Sequence, residues 1–228
     1  MLFPGQDTSE HTIIAIDGPA ASGKSSVART LATKLGFAYV NSGAMYRSVA
    51  WLAFQNKVPP DQPEKVLALL AGDHFEFGLR QGTSYVRIDG VDPERHLNQE
   101  VVNRTVSSIA GIQGVRDYLL QHLRHFALLD NIVMEGRDIG STVFPQTPYK
   151  FYIDASPHVR ARRRAAQGIA DNLEQRDRQD VTRRASPLLI AADAFRIDSS
   201  TLTIEQVVEQ IIAVLRQKGW PPASVAVK

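Results

Sequence analysis

A glycine-rich segment with a lysine and a serine at fixed positions carries the strongest chemical signal in this chain. Residues 18–25 read Gly-Pro-Ala-Ala-Ser-Gly-Lys-Ser and follow an apolar run. They satisfy the pattern G-x-x-x-x-G-K-[S/T] at every fixed position. In such a loop, backbone N–H groups and the start of the next helix surround phosphate oxygens, Lys24 adds a positive charge, and Ser25 can ligate Mg²⁺. The pattern therefore predicts a nucleotide-binding phosphate loop.

The phosphate loop alone does not define the reaction. GTP-hydrolysing switches carry two further motifs, D-x-x-G and N-K-x-D. The sequence contains no D-x-x-G, and its only Asn-Lys pair, Asn56-Lys57, is followed by Val-Pro and so lacks the aspartate. A GTP switch is therefore not favoured.

Arginine supplies most of the positive charge, with 19 arginines among the 26 basic residues. The net charge of +2 is too small for a general polyanion binder, but eight of the arginines lie within residues 160–184, opposed by four acids. Because the guanidinium fork matches phosphate, this segment is expected to meet an anion. An RNA-binding module is the alternative from another class. No aromatic residue interleaves these arginines to stack bases, which argues against it.

Three of these arginines share one helix face. Arg160, Arg163 and Arg164 follow i, i+3, i+4 spacing, whereas Arg162 points elsewhere. A solvated basic face is one interpretation. The other is a mobile lid that carries positive charge over a transferring phosphoryl group and excludes water.

A second anion site is predicted where a strand ends at Asn41 and a helix begins. The Ser42 hydroxyl and the free amides there can hold an anion. Arg47, one helical turn beyond Gly43, can reach the same phosphate. A plain helix cap beside a solvated arginine is the alternative.

The segment Glu135-Gly-Arg137-Asp138 ends another apolar strand, and ligands of open α/β sheets gather at the carboxyl ends of strands. Glu135 can hold Mg²⁺ through water. Arg137 can contact a second phosphate, and the Asp138 carboxylate can accept from an amino group. A surface ion pair between Arg137 and Asp138 is the alternative.

One helix face carries residues of alternating charge, because Arg176, Asp180 and Arg183 follow i, i+4, i+7 spacing. The flanking positive charge keeps Asp180 ionised, so that it can accept from a sugar hydroxyl while Arg183 reaches phosphate. An exposed helix with surface salt bridges is the alternative.

The elements that must position these residues alternate between strands and helices, which predicts a five-stranded parallel sheet sandwiched by helices in one domain, 1–228. Short apolar runs predict strands at 12–16, 38–40, 131–134, 150–153 and 195–197. Amphipathic segments predict helices at 24–35, 43–55, 98–109, 115–129, 157–167 and 203–217.

One stretch breaks this alternation. Residues 74–80 and 84–90 alternate apolar and polar side chains around Gln81-Gly82-Thr83, which predicts a β-hairpin. We expect this hairpin to belong to a mobile insertion, 57–113, which stands apart from the parallel core and binds the molecule that accepts the phosphoryl group. We expect residues 157–183 to form the lid.

The composition excludes several other classes. With 43% hydrophobic and 22% charged residues the chain is globular, and with no cysteine it has neither a disulfide framework nor a thiolate metal site. No window of 18 residues lacks charge, so no membrane span is expected. The first ten residues do not resemble a secretory signal. A cytoplasmic protein is expected, and a monomer.

From about Ile13 to Lys218 the chain resembles the bacterial cytidylate kinases, a family of P-loop nucleoside monophosphate kinases. The resemblance lies in I-D-G-P-A-A-S-G-K-S-S (16–26), N-S-G-A-M-Y-R (41–47), the hairpin, V-R (115–116), M-E-G-R-D-I-G-S-T-V-F-P (134–145), R-D-R-Q-D-V-T-R (176–183) and D-S-S-T-L-T-I-E-Q-V (198–207). It implies transfer of the ATP γ-phosphate to CMP or dCMP with Mg²⁺, in pyrimidine nucleotide metabolism. A P-loop kinase for another acceptor, such as AMP or shikimate, is the nearest rival.

The resemblance also implies residue roles. Asp138 would accept from the 4-amino group of cytosine, with Arg116 and Ser107 completing the base site. Ser108 is a second candidate, because the alignment there needs a shift of one residue. ATP would be held by Gly18, Pro19, Ala20, Ala21, Ser22, Gly23, Lys24, Ser25 and Ser26. Charge on the transferring group would be stabilised by Lys24, Arg137, Arg160, Arg163 and Arg164. The acceptor would be bound by Ser42, Arg47, Ser107, Arg116, Arg137, Asp138, Arg176, Asp180 and Arg183, and the metal by Ser25 and Glu135.

Overall fold

The computed structural model describes residues 11–72, 74–168, 173–182 and 188–221. Within these residues the strands are β1 Ile13–Asp17, β2 Ala38–Asn41, β3 Phe75–Arg80, β4 Thr83–Ile88, β5 Ile132–Gly136, β6 Tyr149–Asp154 and β7 Phe195–Asp198. The helices are α1 Lys24–Leu35, α2 Ser42–Gln55, α3 Pro63–Leu70, α4 Glu100–Ala110, α5 Gln113–His125, α6 Pro157–Ala166, α7 Leu173–Thr182 and α8 Ile204–Gln217.

All described strands form a single sheet in the order β3-β4-β2-β5-β1-β6-β7. The five predicted parallel strands are present as β2, β5, β1, β6 and β7. The predicted number of strands in the sheet is wrong, because the sheet has seven. The two extra strands are those of the hairpin.

The hairpin joins the sheet through its second strand. The Tyr39 N–H donates to the carbonyl of Gly82 at 2.8 Å, and Thr83 pairs with Tyr39 in parallel. Gln81 and Gly82 alone form the turn, both with positive φ (49° and 68°), as a two-residue hairpin turn of the primed type requires. The hairpin therefore continues the main sheet, contrary to the expectation of a unit apart from the parallel core.

The two faces of the sheet carry separate apolar layers, as alternation along buried strands requires. Ile13, Ala15 and Met134 point to the face covered by α2, α4 and α5, which also buries Val86 and Ile88 of the hairpin. The opposite face is covered by α1 and α8, and its strand residues are Ile14, Ile16, Tyr39, Val133, Phe151, Ile153 and Ile197. Burial on both faces rigidly fixes the carboxyl ends of β1, β2 and β5.

Sequence reasoning missed helix α3. Its first residue is Pro63. Proline is favoured at the first helical position, because its missing N–H has no partner there in any case. Among the described residues, no helix is long and apolar enough to cross a membrane.

Candidate active site

The phosphate loop connects β1 to α1 and is packed too closely for side chains at its start. A Cβ added to Gly18 would lie 2.1 Å from the carbonyl oxygen of Ile153 in β6. Ala21 has a positive φ of 59°, a conformation that side chains rarely adopt. Together these features hold the loop in a tight curve at the carboxyl end of the sheet.

Lys24, Ser25 and Glu135 meet beside this loop. The Ser25 hydroxyl donates to Glu135 Oε1 at 2.9 Å. Lys24 Nζ donates to the Pro19 carbonyl at 3.0 Å and lies 3.9 Å from Glu135 Oε2. Burial lowers the pKa of Lys24 to about 7, with Arg137 acting in the same direction. A bound anion would favour the charged lysine.

The hydroxyl and carboxylate oxygens of Ser25 and Glu135 are ligands that suit Mg²⁺, which is held by few protein oxygens and keeps several waters or phosphate oxygens. Among the described residues, no group of three or more His, Asp or Glu side chains could hold a metal ion. The donor set thus fits a cation bound together with phosphates rather than a cage made by the protein alone.

The predicted second anion site lies at the start of α2. Asn41 is the helix cap, accepting from the Ala44 N–H at 3.1 Å. The Ser42 hydroxyl donates to the Glu135 carbonyl at 2.7 Å, so its proton is directed at β5. Arg47 lies over the first turn, with Nη1 3.0 Å from where a Cβ of Gly43 would be.

Arginine side chains converge on this point from three other elements. Burial, followed by the guanidinium groups of Arg176, Arg137 and Arg164, lowers the pKa of Arg47 to about 10. Within the described part of the chain, Arg47 Nε is buried without a hydrogen-bond partner. Like charges gathered in this way disfavour one another unless an anion lies between them. The arrangement is that of an anion site.

A buried ion pair occupies the adjacent wall. Arg116 of α5 donates to Asp138, and both side chains are almost fully buried. Arg116 also donates to the Ala110 carbonyl at 3.3 Å and lies over the Tyr46 ring, 5.5 Å from its centroid. Asp138 therefore pairs with Arg116 inside the molecule, and a surface ion pair with Arg137 is excluded.

Asp180 of α7 joins two other elements. Arg137 Nε donates to Asp180 Oδ2 at 2.8 Å, and the Ser107 hydroxyl donates to Asp180 Oδ1 at 3.2 Å. Burial opposes the charge of Arg137, but the Asp180 carboxylate prevails and raises its pKa. Ser107 lies in the cavity wall, whereas Ser108 is exposed. Ser107 contacts Asp180 rather than the Arg116–Asp138 pair.

Arg183, predicted on the same helix face, lies outside the described residues. Its two predicted companions, Arg176 and Asp180, are both buried and both line the cavity. A salt-bridged helix facing solvent at these two positions is therefore excluded.

The three arginines predicted to share one face of α6 do share it, and Arg162 is exposed. Arg163 and Arg164 line the cavity. Arg163 also donates to the Ser22 carbonyl at 3.1 Å and to the Ser199 carbonyl at 2.6 Å.

Arg160 differs from these two neighbours, because it does not line the cavity. It donates to the carbonyls of Ala155 at 3.1 Å and Ala20 at 3.3 Å, and it pairs with Asp177 at 2.7 Å. Arg160 therefore ties the phosphate loop to α6 and α7.

The phosphate loop, the arginine cluster and the ion-paired wall enclose one cavity of about 720 Å³. Sequence reasoning missed several lining residues: Tyr46, Asn98, Val106 and Ala110 on one side, and Gln167, Ser199, Leu202, Thr203, Ile204 and Val207 on the other. The last five lie in the segment 198–207, whose motif marked the resemblance without any assigned role. Val106 and Ala110 share with Ser107 the buried face of α4, which its periodicity could have shown.

Comparisons with known proteins agree with this geometry. A family model described as cytidylate kinase matches residues 14–217. A bifunctional pantoate ligase/cytidylate kinase of Synechococcus sp. (strain RCC307) is 40% identical over 223 residues, covering 92% of this chain and 43% of that protein. A cytidylate kinase of Clostridium botulinum (strain Langeland / NCTC 10281 / Type F) is 36% identical over 215 residues, covering 90% of this chain and 97% of that protein. The chain thus spans less than half of the bifunctional relative and nearly all of the other.

Among solved structures, an uncharacterized protein from Eubacterium ventriosum ATCC 27560 has a similar fold, with a TM-score of 0.51. It is 13% identical, and the match covers 90% of this chain and 99% of that one. This likeness concerns the fold alone.

Proposed function

This chain belongs to the cytidylate kinase family, and on that premise we propose that it transfers the γ-phosphate of ATP to CMP or dCMP, in pyrimidine nucleotide metabolism. The observation that carries the proposal is the cavity itself, in which a phosphate loop faces a second anion site made by Arg47 and its neighbours. Two phosphate sites in one cavity suit transfer from one nucleotide to another.

The donor nucleotide binds in the phosphate loop, residues 18–26. Backbone amides and the start of α1 hold its β- and γ-phosphates, and Lys24 adds the local charge. The purine lies against Leu202, Ile204 and Val207, the apolar residues that line this side of the cavity.

The Ser25 hydroxyl and the Glu135 carboxylate would hold the Mg²⁺ that accompanies ATP. When bound, Mg²⁺ would neutralise charge on the donor phosphates. The contact between Ser25 and Glu135 at 2.9 Å supports this assignment, since it brings both oxygens to the edge of the loop.

The acceptor nucleotide binds along the opposite wall, which we call the acceptor wall. Its residues are Ser42, Arg47, Ser107, Arg116, Arg137, Asp138, Arg176 and Asp180. Arg183 is assigned to the acceptor phosphate from the sequence alone.

Within the acceptor wall, Arg47, Arg137 and Arg176 hold the acceptor phosphate, and Asp138 accepts from the cytosine 4-amino group. Asp138 pairs with Arg116 in the interior. Asp180 accepts from a sugar hydroxyl, and Ser107 lies beside the sugar rather than the base, because it donates to Asp180.

In the transfer step, an oxygen of the acceptor phosphate attacks the γ-phosphorus of ATP, and the bond to the β,γ-bridging oxygen breaks. ADP leaves, and CDP or dCDP forms. Such a loose transition state needs in-line positioning and charge on the equatorial oxygens more than it needs a base. Lys24, Arg163 and Arg164 supply that charge from the donor side and Arg137 from the acceptor side. Arg160 positions the phosphate loop relative to α7 through its contacts with the Ala20 carbonyl and Asp177.

We also propose that the enzyme acts in the cytoplasm as a monomer. The cavity supports a monomer, because a single chain supplies both its donor side and its acceptor side. Sedimentation or light scattering across a range of concentrations would test it.

The direct test is ADP release from ATP with CMP, dCMP, UMP, AMP and shikimate as separate acceptors. Comparable turnover with CMP and dCMP is expected, and at least about 100-fold lower kcat/KM with AMP and shikimate, since a site built to pair with polar groups rejects analogues that leave them unpaired. A Lys24→Met preparation controls for a contaminating kinase. Preference for AMP or shikimate would contradict the proposal.

RNA binding by the arginine-rich segment has less support. Arg160, Arg164 and Arg176 are buried, whereas an RNA surface needs exposed cations. A salt-dependent RNA-binding assay would detect that function if it exists.

A further inference from the structure

Asp17 is a buried carboxylate that connects the two sides of the cavity without lining it. It is the last residue of β1, directly before Gly18, and it is 5% exposed. Its Oδ1 accepts the N–H of Ile139 at 2.8 Å, and its Oδ2 accepts the N–H of Gly140 at 2.8 Å. These amides follow Arg137 and Asp138 directly in the chain.

The two amides begin a π-helical turn, Ile139–Val143, in which the first N–H groups have no partner within the turn. The Thr142 and Val143 N–H groups donate back to the Asp138 carbonyl, which leaves Ile139 and Gly140 to be satisfied from outside. Asp17 supplies both acceptors from a strand more than 120 residues earlier in the chain. The carboxylate therefore fixes the start of the turn relative to β1.

Burial raises the pKa of Asp17 to about 7, and the two amide hydrogen bonds, followed by Arg137, act against that rise. A carboxylate matches the site since it offers two oxygens to two neighbouring donors. A neutral amide side chain would present an NH₂ group to one of those N–H groups.

We propose that Asp17 is a positioning residue for the acceptor: by binding the Ile139 and Gly140 amides, it sets where Arg137 and Asp138 stand relative to the phosphate loop. This inference rests on the proposed function, which gives Arg137 and Asp138 the acceptor to bind. The phosphate loop itself is held by other contacts, including that of Arg160 with the Ala20 carbonyl. Loss of Asp17 should therefore affect the acceptor more than ATP.

The test is Asp17→Asn, with kcat, KM for CMP and KM for ATP measured separately. KM for CMP should rise about 10- to 100-fold, as expected for the loss of a buried charge-assisted hydrogen bond, while KM for ATP changes less than about 3-fold. In an Asp138→Ala background the same substitution should raise KM for CMP less than it does in the wild type, because one of the two groups that it positions is gone.

Thr147→Val is the matched control. Thr147 is also buried, and its hydroxyl donates to the Ile13 carbonyl at 2.6 Å, at the other end of the same strand. The Thr147→Val variant should have a lower thermal unfolding temperature, without a selective change in KM for CMP. If Asp17→Asn raises both KM values alike, or if Thr147→Val has the same selectivity, Asp17 serves only the fold and the inference is overturned.

A second variant disturbs the contact from its other side, in case Asp17→Asn does not fold. A Cβ at residue 140 would lie 3.1 Å from Lys150 Cγ and 3.4 Å from Asp17 Oδ2, so Gly140→Ala should displace the turn. A selective rise in KM for CMP is expected, and an unchanged KM would contradict the inference. If the wild type itself fails to use CMP, the proposed function is wrong; if the wild type is active and neither variant is selective, only the inference fails.

Discussion

The phosphate loop and the acceptor wall enclose the same cavity but are built in opposite ways. The loop is one continuous segment, residues 18–26, of which residues 20–26 line the cavity. The acceptor wall takes one or two side chains each from α2, α4, α5, α7 and the residues directly after β5. Its charges also pair with one another, as in Arg116–Asp138 and Arg137–Asp180.

Because of this difference, a substitution in the phosphate loop should affect mainly activity, whereas a substitution in the acceptor wall should affect activity and stability together. In the phosphate loop, the buried Lys24 lies 3.9 Å from Glu135, which is a longer ion pair than Arg137–Asp180 of the acceptor wall. Removal of one member of a buried ion pair leaves an uncompensated charge, which destabilises by roughly 3–5 kcal/mol. The effects of substitutions in the phosphate loop and in the acceptor wall should therefore differ in which quantity changes, turnover or the free energy of unfolding, as well as in magnitude.

The largest effect is expected from Lys24→Met. Turnover should fall by at least about 100- to 1,000-fold, because a charge that acts on the transferring group is lost. The free energy of unfolding should fall less than it does when an acceptor-wall pair is broken, since Nζ lies 3.9 Å from Glu135 and the only hydrogen bond that it makes among the described residues is with the Pro19 carbonyl. Steady-state kinetics and urea unfolding measure both. Near-normal turnover by a folded variant would contradict the phosphate-loop assignment.

Asp138→Ala should reduce both activity and stability. We expect kcat/KM for CMP to fall about 10- to 150-fold and the free energy of unfolding to fall by about 3–5 kcal/mol, because Arg116 stays buried without its partner. KM for ATP should change little.

The double variant Arg116→Met/Asp138→Ala sharpens this comparison. It removes both charges, so it should recover part of the lost stability but none of the use of CMP. Recovered activity would show that the pair holds structure instead of substrate.

The position of the phosphate loop between β1 and α1 could be predicted from the sequence, because its motif lies in consecutive residues. Glu135, Arg137 and Asp138 could be located as well, since they end an apolar strand. Their partners could not be identified, because the pairs join residues 22 and 43 positions apart in the chain, and only tertiary packing decides which charges meet.

The hairpin shows a similar limit. Its alternation and turn residues predict two strands, but the contact that adds them to the sheet is made by Tyr39, whose own sequence context carries no signal for it.

Helix α6 shows another limit of prediction from sequence. Its spacing predicts the shared face of Arg160, Arg163 and Arg164, yet the pairing of Arg160 with Asp177 depends on how α7 packs.

A smaller effect, on the free energy of unfolding, is expected from pH. Burial, the largest cause, raises the pKa of Asp17 from 3.8 to about 7. A carboxyl whose pKa is higher in the folded state contributes stability below pH 3.8 and loses it as the pH rises through about 7. Between pH 5 and pH 8 this group should lower the free energy of unfolding by on the order of 2 kcal/mol.

Urea unfolding of the wild type and of Asp17→Asn at several pH values isolates this contribution, because the other titrating groups are common to both proteins. The stability difference between the two proteins should drift in favour of the variant as the pH rises. A difference that is constant from pH 5 to pH 8 would show that Asp17 does not titrate in this range.

The smallest effect is expected from Arg160, whose two possible roles predict different behaviour of its partner. If Arg160 acts only by tying the phosphate loop to α7, Arg160→Ala and Asp177→Asn should each lower kcat/KM by about 10-fold, and the double variant should lose little more, because both remove one interaction. If Arg160 instead swings onto the transferring phosphoryl group, Asp177→Asn should be harmless, since it releases the guanidinium, while Arg160→Ala should cost about 100-fold or more. Arg178→Ala is the matched control on the helix of Asp177, because among the described residues Arg178 pairs with exposed Glu174 alone, and it should leave activity unchanged. The contacts of Arg160 with the Ala20 and Ala155 carbonyls favour the first outcome, since they engage the guanidinium with the backbone, and Arg160 does not line the cavity.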